Sequence, residues 1–253
     1  MSIEIIITSK TKSTQPSCLF LLIIKLELGK GITMLFAKPT PKGTGAEFWG
    51  DCNDLESLYE TISKLANPVS SQENSYARNE QLLTIIPYAI RHAYQEERLI
   101  DHNILNGVDA YTTYYGFRAD WITILYTISA LRYNAGMVPI DELDQSNLMQ
   151  FEHWTRKALH MFDSKGANAI EQFINCRIDV STKYVYLIHQ ELIQRYYFMK
   201  PNKTRFRSIP QLLVSMGNGE KLDAFIRQVE FEAKSLGCTI NDLECDDIIP
   251  IVW

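Results

Sequence analysis

Between Asp120 and Asp141 the chain carries a single charged side chain, Arg132. Trp121, Ile122, Ile124, Leu125, Tyr126, Ile128 and Leu131 would place apolar groups on every side of a helix built on this stretch. A helix that is apolar all round is buried on most of its circumference, so other elements must pack around it. Thr123, Thr127, Ser129, Arg132 and Asn134 break up the surface that a bilayer core requires, which argues against a membrane span. The segment 111–137 is therefore expected to hold the central helix of a soluble core.

A chain of 253 residues without an internal Pro/Gly/Ser-rich linker favours one domain from about residue 34 onward. Its net charge of -5 and pI near 5.6 argue against whole-surface attraction to nucleic acid or anionic lipid. Cys18, Cys52, Cys176, Cys238 and Cys245 are odd in number and scattered, with no CxxC and no Cys/His cluster at zinc-ligand spacing. That pattern predicts neither a disulfide framework nor a metal centre, and it suits the reducing cytoplasm.

Residues 1–33 differ from the rest. The apolar run 18–24 is too short to span a bilayer, and the opening MSIEI lacks the basic start of a signal peptide. Lys30-Gly31 is necessarily encoded AAR-GGN, a purine-rich stretch resembling a ribosome-binding core shortly before Met34. Translation is therefore expected to start at Met34, with 1–33 a poorly packed, non-native extension.

From Met34 the pattern becomes orderly. Two strands, 35–40 and 46–50, flank the turn-rich Pro41-Lys42-Gly43-Thr44-Gly45 and predict a hairpin, which needs a helix to pack on. Leu55, Leu58, Tyr59, Ile62 and Leu65 recur at helical spacing after a cap at Asp51 or Asn53, with an end near Asn67-Pro68. A second helix is expected over about 79–100, kinked or divided by Pro87, then a loop over 101–110, while YTTYYGF has the alternation of a strand. Further helices are expected from Asp144 or Ser146 to Phe162, over 165–176, from Asp179 or Ser181 to about Met199, in a short piece between Pro210 and Gly217, and over 220–236 before Gly237. The apolar tail ending in Trp253 is expected to dock, with the hairpin as its place. The fold class that results is mainly α with a small β element (α+β), a bundle-like domain around the buried helix with the hairpin packed on it.

No phosphate-binding glycine loop, dinucleotide fingerprint, zincin motif or nucleophile elbow is present. Arg156/His160 and Arg98/His102 sit four apart, the spacing of an acid/base pair on one helix face, but an incidental histidine on a solvated face explains both. Arg118 and Arg132 lie at the edge of, or inside, the apolar run, where an unpaired charge is costly, so carboxylate or carbonyl partners are expected. A buried network that fixes helix packing takes precedence. Its functional alternative is an anion pocket in which Arg118 and Arg132 clamp a carboxylate or phosphate, lined by Tyr114, Tyr115 and Tyr184. In the cluster from Arg177 to Tyr184, Asp179 and Ser181 are explained as helix caps, and His189 as a core-edge histidine. Lys200, Lys203, Arg205 and Arg207, interleaved with Phe206, form a basic segment that could meet nucleic-acid phosphates, although an exposed interhelical loop has the same composition.

The run MLFAKPTPKGTGAEFWGD followed by DLESLYETI, then YYGFRADW, LRY, LDQSNL and RIDVSTKYVYLIHQ, resembles an uncharacterised family of bacterial proteins known only as a domain of unknown function. The resemblance covers Met34 to Trp253 and supports the start at Met34. It implies no residue role, no catalytic residue and no cofactor. The expectation that remains is a cytoplasmic, non-catalytic binding or regulatory protein acting through a protein partner, with abundant Tyr, Trp and Arg for contacts. The alternatives are an enzyme or small-anion module built on the Arg/Tyr pocket, and nucleic-acid binding through residues 200–207.

Overall fold

The computed structural model describes residues 35–70, 77–102, 113–179, 182–217, 219–243 and 251–253. The expected extension over 1–33 lies outside the described residues, as does most of the expected loop over 101–110.

Strands β1 (Phe36–Pro39) and β2 (Gly45–Gly50) form the expected hairpin. Gly43 takes a left-handed φ of 65°, and the Phe162 ring lies where its Cβ would stand. Any side chain there would meet both backbone strain and an aromatic ring. The Thr40 hydroxyl accepts from the amides of Thr44 and Gly45 and closes the turn.

Helix α1 (Cys52–Ser70) is capped by Asp51, which accepts from the Asp54 amide at 2.8 Å. It runs past Asn67-Pro68, whose bias against helix is a tendency rather than a stop. Helix α2 (Ala77–Tyr94) contains Pro87 and ends six residues earlier than expected. Glu96 takes a left-handed φ of 66°, the Glu97 amide bonds to the His92 carbonyl, and the chain turns into strand β3 (Leu99–Asp101). This strand was not expected. It exists because it pairs with β4 (Tyr114–Asp120), with Leu99 opposite Gly116. The four strands form one antiparallel sheet in the order β1-β2-β4-β3.

Helix α3 (Trp121–Asn134) follows β4 without a break, so the run 111–137 is strand and helix in succession. Asp120 caps it by accepting from the Thr123 amide at 2.9 Å. Every residue from Trp121 to Leu131 is buried, enclosed by α1, α2, α4 (Glu142–Ile170), α5 (Val185–Phe198) and the sheet. The central position expected of this helix is observed.

Helix α4 starts one turn early, on a capping box between Asp141 and Asp144, and β1 packs on it. The two helices expected on either side of 163–164 are observed as the two segments of α4, which meet at Asp163, whose extended, non-helical backbone lets its carboxylate cap the second segment through the Gly166 amide. A 3-10 turn (Glu171–Asn175) follows. Asp179 does not open α5, and Ser181 lies outside the described residues. Tyr184 occupies the cap position without a side-chain bond, and Asn79 of α2 accepts from the Tyr186 amide instead.

Helix α6 (Lys203–Ser215) corrects the basic loop expected over 200–207. Asn202 accepts from the Arg205 amide at 2.8 Å, so the helix begins seven residues before Pro210. Helix α7 (Glu220–Leu236) ends at Gly237 in the left-handed conformation, as expected. The tail docks on the hairpin turn, where the Thr44 hydroxyl donates to the Val252 carbonyl at 2.5 Å. Among the described residues no helix is long and apolar enough to cross a membrane.

Candidate functional site

The sheet face turned away from α3 carries a row of charges fixed by register. Lys38, Glu47 and Arg118 stand opposite one another on β1, β2 and β4. Arg118 donates from Nε and Nη2 to Glu47 Oε1 at 2.9 and 2.7 Å, and Lys38 Nζ lies 3.2 Å from Glu47 Oε2. Glu47 is thereby neutralised twice over, a cross-strand arrangement that favours opposite charges.

Arg132 lies near the other end of α3, and the helix from Trp121 to Arg132 puts it on the order of 15 Å away. Its guanidinium makes a two-pronged pair with the buried Glu152 of α4, and Arg156 stands 3.6 Å from the same carboxylate. The tyrosines assigned to the same pocket are also dispersed. Tyr114 is buried with Phe36 and Trp49, and burial there pushes its hydroxyl pKa up to about 12. The Tyr115 hydroxyl donates to Glu96 at 3.0 Å, whereas that of Tyr184 donates to Glu230 on α7. The charges buried in these pairs are the carboxylates of Glu47 and Glu152, while Arg118 and Arg132 reach solvent, which corrects the burial expected of the arginines; the two do not converge with the three tyrosines on one cavity.

Of the basic segment, Arg205 alone enters the interior, while Lys203 and Arg207 are exposed and pair at the surface with a buried carboxylate. Arg205 is 3 % exposed, lies 4.5 Å over the Tyr196 ring and donates to the Thr44 hydroxyl at 2.6 Å. Arg207 makes a two-pronged pair with Asp163 at 2.7 and 2.8 Å, and Lys203 adds a third contact at 3.6 Å. The Arg207 guanidinium holds the Asp163 carboxyl well below the usual carboxylate range. Helical spacing puts Lys203 and Arg207 on one face toward α4, which leaves Lys200 as the residue of the four outside this packing.

Neither histidine pair of the sequence stands as an acid/base couple. His160 pairs with Glu171 and Arg156 with Glu152 and Asn175, while Arg98 and His102 are separated by β3 rather than stacked on a helix. His189 is more deeply placed than expected: it is wholly buried, with Nε2 3.1 Å from the Thr123 hydroxyl.

The structure instead opens a groove beside Arg118. Thr84, Ile85, Tyr88 and Ala89 of α2 form one wall, Arg98, Leu99, Phe117 and Arg118 the other, and Trp253 of the tail closes one side around about 500 Å³. Tyr88 is 51 % exposed, with the Arg91 guanidinium 5.3 Å over its ring and the His92 ring 4.0 Å away. Among the described residues Arg98 has no ion-pair partner. Apolar side chains, aromatic faces and an uncommitted guanidinium together suit an apolar anchor flanked by a carboxylate.

Tyr88, Arg98 and Trp253 were not singled out as binding residues from the sequence. The available signal was Tyr88 and Arg91 three apart on the polar side of an amphipathic helix, a local pairing on an exposed face. That β3 and the tail would complete the groove depends on long-range pairing.

No curated protein matches the chain, and no solved structure matches it. The family model described as a domain of unknown function, DUF6904, matches residues 35–253, and the chain belongs to that family.

Proposed function

We propose that this chain is a bacterial cytoplasmic, non-catalytic binding protein that acts through a protein partner docked in the groove of Tyr88, Arg98 and Trp253. The observation that carries the reading is the composition of this groove: an exposed tyrosine, a tryptophan and an arginine without an ion pair among the described residues, around an apolar floor. Tyrosine, tryptophan and arginine are the side chains that dominate interface energetics, because each combines a large contact area with a polar handle. The partner segment that fits carries an aliphatic or aromatic anchor beside an acidic residue. The cytoplasmic placement is supported by Cys52, Cys176 and Cys238, which are free thiols.

The test is affinity capture with the wild-type chain and a Tyr88→Ala/Arg98→Glu variant, followed by calorimetry with each purified candidate. Both substitutions are at exposed positions, so the variant retains the wild-type melting temperature. We expect one protein to bind the wild-type chain saturably and to lose at least about tenfold in affinity with the variant, the loss of one or two hot-spot contacts. Identical binding by both forms would overturn the assignment.

A further inference from the structure

A second cavity, of about 480 Å³, lies between α3, the 3-10 turn, α5, the end of α6 and the start of α7. Its walls are Leu125, Phe173, Ile178, Ile188, Leu213 and Met216. Its size falls within the range of small-ligand pockets, roughly 300–1,000 Å³.

Two polar features interrupt this apolar lining. Tyr126 of α3 is only 8 % exposed, and its hydroxyl has no hydrogen-bond partner among the described residues. Because Tyr126 lines the cavity and its oxygen remains open to it, the hydroxyl is a free donor for a ligand acceptor at this place. Burial pushes the Tyr126 hydroxyl pKa up, which keeps it a neutral donor. At the mouth stands Arg177, exposed and without an ion-pair partner among the described residues. Thr182 and Val185 bring the N-terminal end of α5 to the same opening, and the partial positive charge of a helix start favours an anion.

We propose that this cavity binds a small amphiphilic carboxylic acid, its apolar body among the leucine, isoleucine and phenylalanine walls and its oxygens met by the Tyr126 hydroxyl and the Arg177 guanidinium. The site is separate from the groove of Tyr88 and does not depend on the function assigned there.

Calorimetric titration of the full chain with butanoate, hexanoate and octanoate, and with octanol, tests it. Each added methylene transferred from water to an apolar wall tightens binding about fourfold, so octanoate should bind roughly fifteenfold more tightly than hexanoate, with one site per chain. Octanol should bind at least about tenfold more weakly than octanoate, because it leaves the guanidinium unpaired. Arg177→Gln should bring octanoate to the level of octanol, and Tyr126→Phe should weaken both. Val214→Glu places a negative charge at an exposed lining position and should abolish octanoate binding without unfolding the chain. The proposal is overturned if no alkanoate saturates, if affinity does not rise with chain length, or if Arg177→Gln and Val214→Glu leave octanoate binding unchanged. It is equally overturned if Tyr88→Ala/Arg98→Glu, rather than these variants, removes octanoate binding.

Discussion

His189 shows how burial sets the chemistry of a single residue. Its Nε2 faces the Thr123 hydroxyl, its ring meets Tyr126 edge-on at 5.3 Å, and Nδ1 has no partner. With nothing to stabilise an imidazolium, burial pushes its pKa down to about 3. The unfolded chain takes up this proton below about pH 6.5 and the folded chain does not, so stability is complete above that pH and is lost as pH falls toward 3. Between pH 7.5 and 5.5 the loss from this residue is about 1.4 kcal/mol. Asp120, buried nearby, has its pKa raised by burial and works in the opposite direction at lower pH. The comparison of urea unfolding at the two pH values is therefore made against His189→Leu, which should remove that loss. A wild-type chain with the same pH dependence as the variant would show that His189 is protonated in the folded state. The Tyr197 hydroxyl lies beside Asp120, short of hydrogen-bond geometry, and burial raises its pKa as well.

At the scale of elements, the kink of α4 illustrates one side chain serving two helices. Asp163 caps the second half of α4 through Gly166 and receives Arg207 and Lys203 from α6. The two duties separate by substitution. Asp163→Ala removes both and should cost about 1 kcal/mol for the cap alone. Asp163→Asn keeps an oxygen for the Gly166 amide and gives up the ion pairs, so its melting temperature should fall between wild type and Ala. Equal losses for the two variants would mean that the cap contributes nothing. The helix α1 was legible because its apolar positions repeat locally, and α3 because its apolar groups stand on every side of a helix. The start of α6 was also written in the sequence, as Asn202 three residues before Arg205, but four charges in eight residues resemble a solvated loop when the carboxylate that receives them lies about 40 positions away.

For the whole molecule, the hairpin turn is where sheet, helices and tail are joined. The Gly43 carbonyl accepts from the Trp121 indole at 3.2 Å and from the Tyr196 hydroxyl at 2.9 Å, while Phe162 covers its α-carbon. The neighbouring Thr44 links Arg205 to the tail. Gly43→Ala should therefore destabilise the entire domain by about 3 kcal/mol, from left-handed strain plus overpacking against Phe162, read as a lower urea midpoint at unchanged slope. A loss under about 0.5 kcal/mol would show that the turn relaxes independently of the core.

The amino-acid sequence by itself determined the class of the fold, the buried central helix, the hairpin, the stop at Gly237 and the need of Arg118 and Arg132 for carboxylates. These follow from local periodicity, turn chemistry and the cost of burying charge. Tertiary structure decided which carboxylates those are, that β3 joins the sheet, that Arg205 of the basic segment turns inward, and that Tyr88, Arg98 and Trp253 share a groove. Each of these depends on pairing between residues far apart in the chain, and the lone arginine at the edge of an apolar run carries no mark of the strand that will stand opposite it. Arg118 and Glu47 are 71 positions apart and meet because β2 and β4 are neighbours in register.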